Sequence, residues 1–131
     1  MGKADGRTMN GGADSLSGGL PPCRDMAEVR RGVDALDDRI APLLVRRAAF
    51  MTQAARIKND ETRIRDEARI AAIAARVRRI AERQGGDPDL VERLYRAMME
   101  IYIDYEHQEL ARLRRTPGCG EGGRTSAGKE D

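Results

Sequence analysis

The chain has 131 residues, with 24 Lys+Arg against 22 Asp+Glu and a formal net charge of +2. That length allows one domain or at most two small ones, and the charge balance gives no global pull toward nucleic acid or a membrane surface. Only Phe50, Tyr95, Tyr102 and Tyr105 are aromatic, and Ala, Arg, Leu, Glu and Asp dominate, which argues against a β-sandwich or barrel and for helices.

The two cysteines, Cys23 and Cys119, sit just outside the periodic part of the chain. They form no disulfide framework and no CxxC metal pattern. No stretch approaches the ~18 consecutive apolar residues of a membrane span, and the first 22 residues contain no hydrophobic signal region. The expectation is a soluble cytoplasmic protein. Eleven of the 14 glycines lie in residues 1–22 and 116–131, and segments so poor in apolar residues do not offset their ordering entropy. Residues 1–23 and 116–131 are therefore expected to be disordered tails around a folded part at 24–115.

The first helix is expected from about 26 to 58. Asp25 is a good N-cap, and Glu28 completes a capping-box pattern. Val29, Val33, Leu36, Ile40, Leu43, Arg47, Phe50, Ala54 and Ile57 then follow in a 4-3 spacing, a heptad seam. Pro42 removes a backbone donor and should bend the helix. The seam keeps its register across it, so one helix is preferred over two broken near residue 41. Residues 59–64 lose the periodicity and read as a loop. A second helix carries Ile70, Ile73, Val77 and Ile80 on one stripe and stops at Gly85-Gly86. Asp87-Pro88 restarts the chain as N-cap and first helical residue. The third helix has one stripe of Val91, Leu94, Met98, Ile101 and Tyr105. Beside it runs a second stripe of Tyr95, Met99, Tyr102 and Glu106, and Thr116-Pro117-Gly118 ends the helix.

Helix length bears on assembly. At ~1.5 Å per residue the first helix spans roughly 50 Å, whereas a compact domain of this size has a radius of gyration near ~12 Å. Half of the helix would leave its seam bare, which predicts an obligate homodimer that pairs long first helices.

Several residues break the apolar pattern. Arg47 occupies a seam position, where a buried cation is costly unless paired. Taken alone it reads first as paired with a carboxylate such as Glu106, and second as kept for an anionic ligand. Lys58 lies eleven residues on, within about 20° of the same face and roughly 16 Å along the axis. It is the single lysine between residues 24 and 115, beside 19 arginines. It is either a solvated lysine at a helix end or a compact ammonium chosen for a site. Arg30 points about 100° away from Arg47, so one chain does not easily bring both to one pocket. Taken alone Arg30 reads first as a surface arginine in the first turns, and second as serving the other of two pockets in a dimer. Asp66 and Arg69 open the second helix, where Asp66 also suits the helix dipole. Glu106 sits on a largely apolar face, either as a hydrogen-bond donor or in a salt bridge to an inward arginine. His107 reads as structural or exposed, and Arg76-Arg78-Arg79-Arg83 as a solvated face, with no aromatic platform for nucleic acid.

The segments Val29-Arg30-Arg31-Gly32-Val33-Asp34-Ala35-Leu36-Asp37, Arg46-Arg47, Ile57-Lys58 and Arg65-Asp66-Glu67-Ala68-Arg69, with Leu94-Tyr95 and Glu106, resemble the all-helical class of chorismate mutase over about residues 26–112. The resemblance implies an all-α, three-helix protomer in an intertwined dimer with two equivalent sites. In each site Arg30 would come from the partner chain. The implied reaction is the Claisen rearrangement of chorismate to prephenate on a small dianionic substrate, with no cofactor, nucleophile or metal. Arg30 and Arg47 would grip carboxylates. Lys58 would donate to the ether oxygen as charge develops there. Arg69 would support the charge balance, and Asp66 would meet the ring hydroxyl.

Two positions depart from the commonest pattern. Glu106 stands where the family often has a glutamine donating to the ether oxygen, which a glutamate does only when protonated. Ile70 stands where mutases often carry a glutamate, and together with Tyr102 it resembles the isochorismate-pyruvate lyases, which share this fold and give salicylate and pyruvate. Asp66 is a mutase feature. A lyase is thus the first alternative. A non-enzymatic dimeric helical module with internally paired arginines is the second, and a nucleic-acid binder a distant third.

Overall fold

The computed structural model describes residues 19–115. Apart from residues 19–23, the expected tails lie outside the described residues. Among the described residues there are three α-helices, α1 (Met26–Lys58), α2 (Glu67–Arg83) and α3 (Pro88–Arg115), with a 3-10 turn at Glu61–Arg63 inside the expected loop. No strand occurs among the described residues, as the composition predicts.

α1 runs unbroken through Pro42. The proline forfeits the bond to the Asp38 carbonyl. Asp38 is exposed, so the residue that loses this bond lies at the surface rather than in the core. The start of α1 differs in one detail from the expected capping box. The Asp25 carboxylate accepts from the Glu28 N–H at 3.0 Å, but Glu28 accepts from the Arg24 N–H (2.7 Å) and Arg24 Nε (2.6 Å) rather than from Asp25. Arg24 offers two donors and outcompetes a single amide.

The other boundaries follow their sequence signals. α1 ends where Asn59 turns left-handed at φ 48° and donates its N–H to the Ala55 carbonyl at 2.9 Å. α2 is capped by Asp66, which accepts from the Arg69 N–H at 3.0 Å. It closes in a Schellman arrangement, with Gly85 at φ 73°, Gly86 N–H to Ala81 carbonyl at 2.9 Å and Gly85 N–H to Glu82 carbonyl at 3.1 Å. Asp87 caps α3 through the N–H groups of Asp89 (2.9 Å) and Leu90 (3.3 Å).

The chain divides into two compact units. One joins the described residues up to Ala41 with Ile70–Arg96. Its buried residues are Ile70, Ala74, Val77 and Ala81. Ile70 and Val77 belong to the predicted stripe, whereas Ile73 and Ile80 are only half-buried and the small Ala74 and Ala81 face inward in their place. Arg78 reaches Asp89 at 2.7 Å and Glu92 at 2.8 Å, tying α2 to the start of α3. Arg76, Arg79 and Arg83 are exposed, so the arginine run is a solvated face except at Arg78.

The second unit joins Pro42–Arg69 with the described residues from Ala97. Ala55, Ile64 and Leu110 form its core, with Ile103 and Leu113 packed against it. Along α3 the two predicted stripes fare differently. Met99 and Glu106 of the second stripe are buried, whereas Leu94 and Ile101 of the first are exposed. Most of the α1 seam is exposed as well, from 37% at Val29 to 70% at Ile57. His107 is exposed. Among the described residues no helix is long and apolar enough to cross a membrane.

Candidate active site

Six of the eight predicted site residues, Arg47, Lys58, Asp66, Arg69, Tyr102 and Glu106, belong to the second unit. Lys58 is the last residue of α1, and its ammonium donates to Glu106 Oε2 on α3 at 3.1 Å and to the Ile64 carbonyl at 3.1 Å. The Glu106 side chain is 4% exposed and that of Lys58 27%. The carboxylate is thus withdrawn from water while the ammonium remains at the rim, with a third N–H not used by these two bonds. Removing one partner of such a pair strands a buried charge and costs several kcal/mol.

Arg47 departs from the pairing expected for it. Glu106 is taken by Lys58, and the Arg47 guanidinium instead lies over the Tyr102 ring, 4.8 Å from its centre. Among the described residues it has no carboxylate within ion-pair distance. A half-buried cation on an aromatic face keeps its hydrogen-bonding edge for another acceptor. Tyr102 is fixed in turn, because its hydroxyl donates to the Leu44 carbonyl at 2.7 Å. Ring and guanidinium are thus linked to the α1 backbone through Leu44.

Asp66 uses one oxygen as the α2 cap, which leaves the other directed by the same turn. Arg69 is exposed one turn into α2, with no side-chain ion pair among the described residues. Arg30 and Ile70 lie in the first unit. Arg30 is exposed on α1, and Ile70 is 8% exposed in the apolar stripe of α2.

Three contacts have no counterpart in the sequence reading. The Ile64 carbonyl that holds Lys58 is a backbone acceptor with no side-chain signature. Glu109, one turn after Glu106, accepts from Thr52 Oγ1 at 2.8 Å and from Arg112 at 2.8 and 3.0 Å. The Arg112 hydrogen bond lowers the Glu109 carboxyl below its ordinary range against the opposing effect of burial, with Thr52 adding to it. Arg65 grips Glu100 through two bonds (3.0 and 2.7 Å) beside Asp66. The i to i+3 spacing of Glu106, Glu109 and Arg112 was the one available signal of a polar stripe along α3.

The family described as chorismate mutase type II matches the chain over residues 29–107, a span that runs from the Arg30 segment past Glu106. Among curated proteins, an isochorismate pyruvate lyase of Pseudomonas aeruginosa is 33% identical over 81 residues, covering 62% of this chain and 80% of that protein.

A site with an acceptor-seeking guanidinium and a rim ammonium should bind small dianions. In a thermal-shift titration, millimolar malonate should raise the melting temperature, and Arg47→Ala should remove most of that rise. An equal rise in both proteins would show that the anion acts elsewhere.

Proposed function

The chain belongs to the chorismate mutase type II family, and from that premise we propose that it catalyses the cofactor-free rearrangement of chorismate to prephenate. The observation that carries this reading is the Lys58 ammonium, held by a buried carboxylate and a backbone carbonyl with donor capacity to spare. In a Claisen rearrangement one C–O bond breaks as one C–C bond forms, and no atom is gained or lost. What the protein contributes is a restricted conformer and a donor fixed where negative charge develops on the departing ether oxygen. Lys58 supplies that donor. Arg47, aimed by Tyr102, grips a substrate carboxylate through its planar fork. Arg69 supports the second charge, and the free oxygen of Asp66 meets the ring hydroxyl.

Glu106 has two tasks in this reading. As a carboxylate it holds Lys58 in place. In its protonated form it adds a second hydrogen bond to the ether oxygen. Glu106→Gln, whose amide is a standing donor of the same shape, should keep most of the turnover, whereas Glu106→Leu, which neither donates nor holds Lys58, should lower it on the order of a hundredfold. Equal turnover in the two variants would remove Glu106 from the donor role.

A second reading, an isochorismate-pyruvate lyase giving salicylate and pyruvate, is favoured by the 33% identical lyase and by Ile70 and Tyr102. Proton NMR of one sample incubated with chorismate and isochorismate together separates the two. Prephenate formed while isochorismate persists supports the mutase. Salicylate and pyruvate as main products support the lyase, and two untouched substrates would sink both.

The proposed working form is a homodimer in which the partner covers the bare α1 seam and each Arg30 reaches the partner's site. Leu36 is 48% and Ile40 46% exposed, and each such side chain moved out of water is worth on the order of 1 kcal/mol. Sedimentation should show a dimer. Leu36→Asp should drive it toward monomer with loss of turnover, and a monomeric, fully active wild type would refute the shared site.

A further inference from the structure

We propose that Arg114, near the end of α3, is a positioning residue for Lys58, acting through the loop that follows it; the proposal rests on the reading of Lys58 as the donor to the substrate. Lys58 closes α1, so the carbonyl groups around it have no intrahelical partner. The Asn59 carbonyl accepts from Arg114 Nη2 at 2.9 Å. The same guanidinium reaches Asn59 Oδ1 through Nε at 3.4 Å and both oxygens of Glu61 through Nη1 at 3.2 and 3.3 Å. One planar fork thus holds backbone and side chains of the first residues after Lys58, which a point-charge lysine does not reproduce.

That hold matters because of what the loop must do. Asn59 sits in the left-handed region at φ 48°, a conformation unfavourable outside glycine and eased for asparagine. It reverses the chain so that Ile64 returns to the core beside Ala55 and Leu110, and the Ile64 carbonyl then receives the Lys58 ammonium. If the turn at 59–61 relaxes, that carbonyl moves, and Lys58 keeps its carboxylate but loses its second anchor. Arg114 is itself carried on a fixed element, since Leu110 and Leu113 of the same turns pack in that core. The Glu61 carboxyl is lowered by its own backbone N–H and then by the Arg114 hydrogen bond, so the clamp is charged at neutral pH. At the other end of the loop Arg65 fastens to Glu100, so both ends are tied to α3.

An exposed ion pair of this kind adds little to global stability. Its signature should therefore lie in turnover and in the state of Lys58. The test uses the full chain and the variants Arg114→Ala, Arg114→Lys and Glu61→Gln. Kinetics are measured on whichever of chorismate and isochorismate the wild type converts. In parallel, proton–nitrogen NMR of the lysine ammonium groups is recorded without ligand. The chain has three lysines, Lys3, Lys58 and Lys129, so Lys58→Arg assigns the signal. Arg114→Ala should lower kcat on the order of tenfold, as a small misplacement does, with KM within about twofold. It should also shift or broaden the Lys58 resonance. Arg114→Lys should fail to rescue either readout, and Glu61→Gln should move both in the same direction by less. Unchanged kcat and an unchanged Lys58 resonance in a folded Arg114→Ala protein would overturn the proposal. Should that variant not fold, wild-type values in both Arg114→Lys and Glu61→Gln would overturn it equally. If the wild type turns over neither substrate, the NMR arm still decides: a moved resonance upholds the positioning role while the functional reading fails, and an unmoved one overturns it.

Discussion

A carboxylate almost sealed from water needs a cation, and the placement of Lys58 answers that need for Glu106. The two residues come from different helices and from sequence positions 48 apart. Their pairing therefore fixes where the end of α1 lies along α3. The Ile64 carbonyl adds a neutral second anchor, which constrains the ammonium without neutralising it further. Desolvation makes the pair expensive to break. Partial exposure of the lysine keeps its remaining donor capacity available at the rim. The fold of the second unit and its candidate chemistry thus share one interaction.

Helical periodicity was highly legible in the sequence. The 4-3 seam kept its register across Pro42, and α1 is one helix. Asp87-Pro88 and Gly85-Gly86 marked their boundaries because capping is local chemistry, settled within a few residues. The start of α1 was read less well, since Arg24 lies outside the capping-box pattern yet supplies the better donors to Glu28. On α3 the sequence offered two adjacent apolar stripes. The polar residue on the second, Glu106, is buried, while Leu94 and Ile101 of the more apolar first stripe are exposed. Periodicity ranks faces by hydrophobicity, but a buried ion pair can turn a less apolar face inward.

The pairing inside the site was the least legible part. Arg47 and Lys58 were both placed toward one face of α1 from their spacing, yet which of them meets Glu106 depends on the axial stagger of α1 against α3. That stagger is set by the loop after Lys58 and by core packing at Ala55, Ile64 and Leu110, none of which a single-helix pattern contains. The outcome is chemically ordered. The compact ammonium takes the buried carboxylate, and the planar guanidinium takes the aromatic face, where it satisfies its charge without spending its fork.

That division of labour separates the question of whether the chain acts on a chorismate-class dianion from the question of which one. In the proposed readings Lys58 and Arg47 would address features common to both candidate substrates: a departing ether oxygen and a carboxylate. Of the residues that distinguish the two readings, Asp66, Ile70 and Tyr102, the first two stand at the start of α2. Asp66 is already engaged as the helix cap, and Ile70 is committed to the apolar stripe of its own unit. Each is held by a structural requirement independent of the ring it would face. Replacing Ile70 by a glutamate would bury a charge in that stripe, which costs far more than one hydroxyl contact returns. In the proposed readings, the packing of α2 would therefore constrain the choice between rearrangement and elimination before any substrate is bound, and the ring hydroxyl would be left to the second oxygen of Asp66.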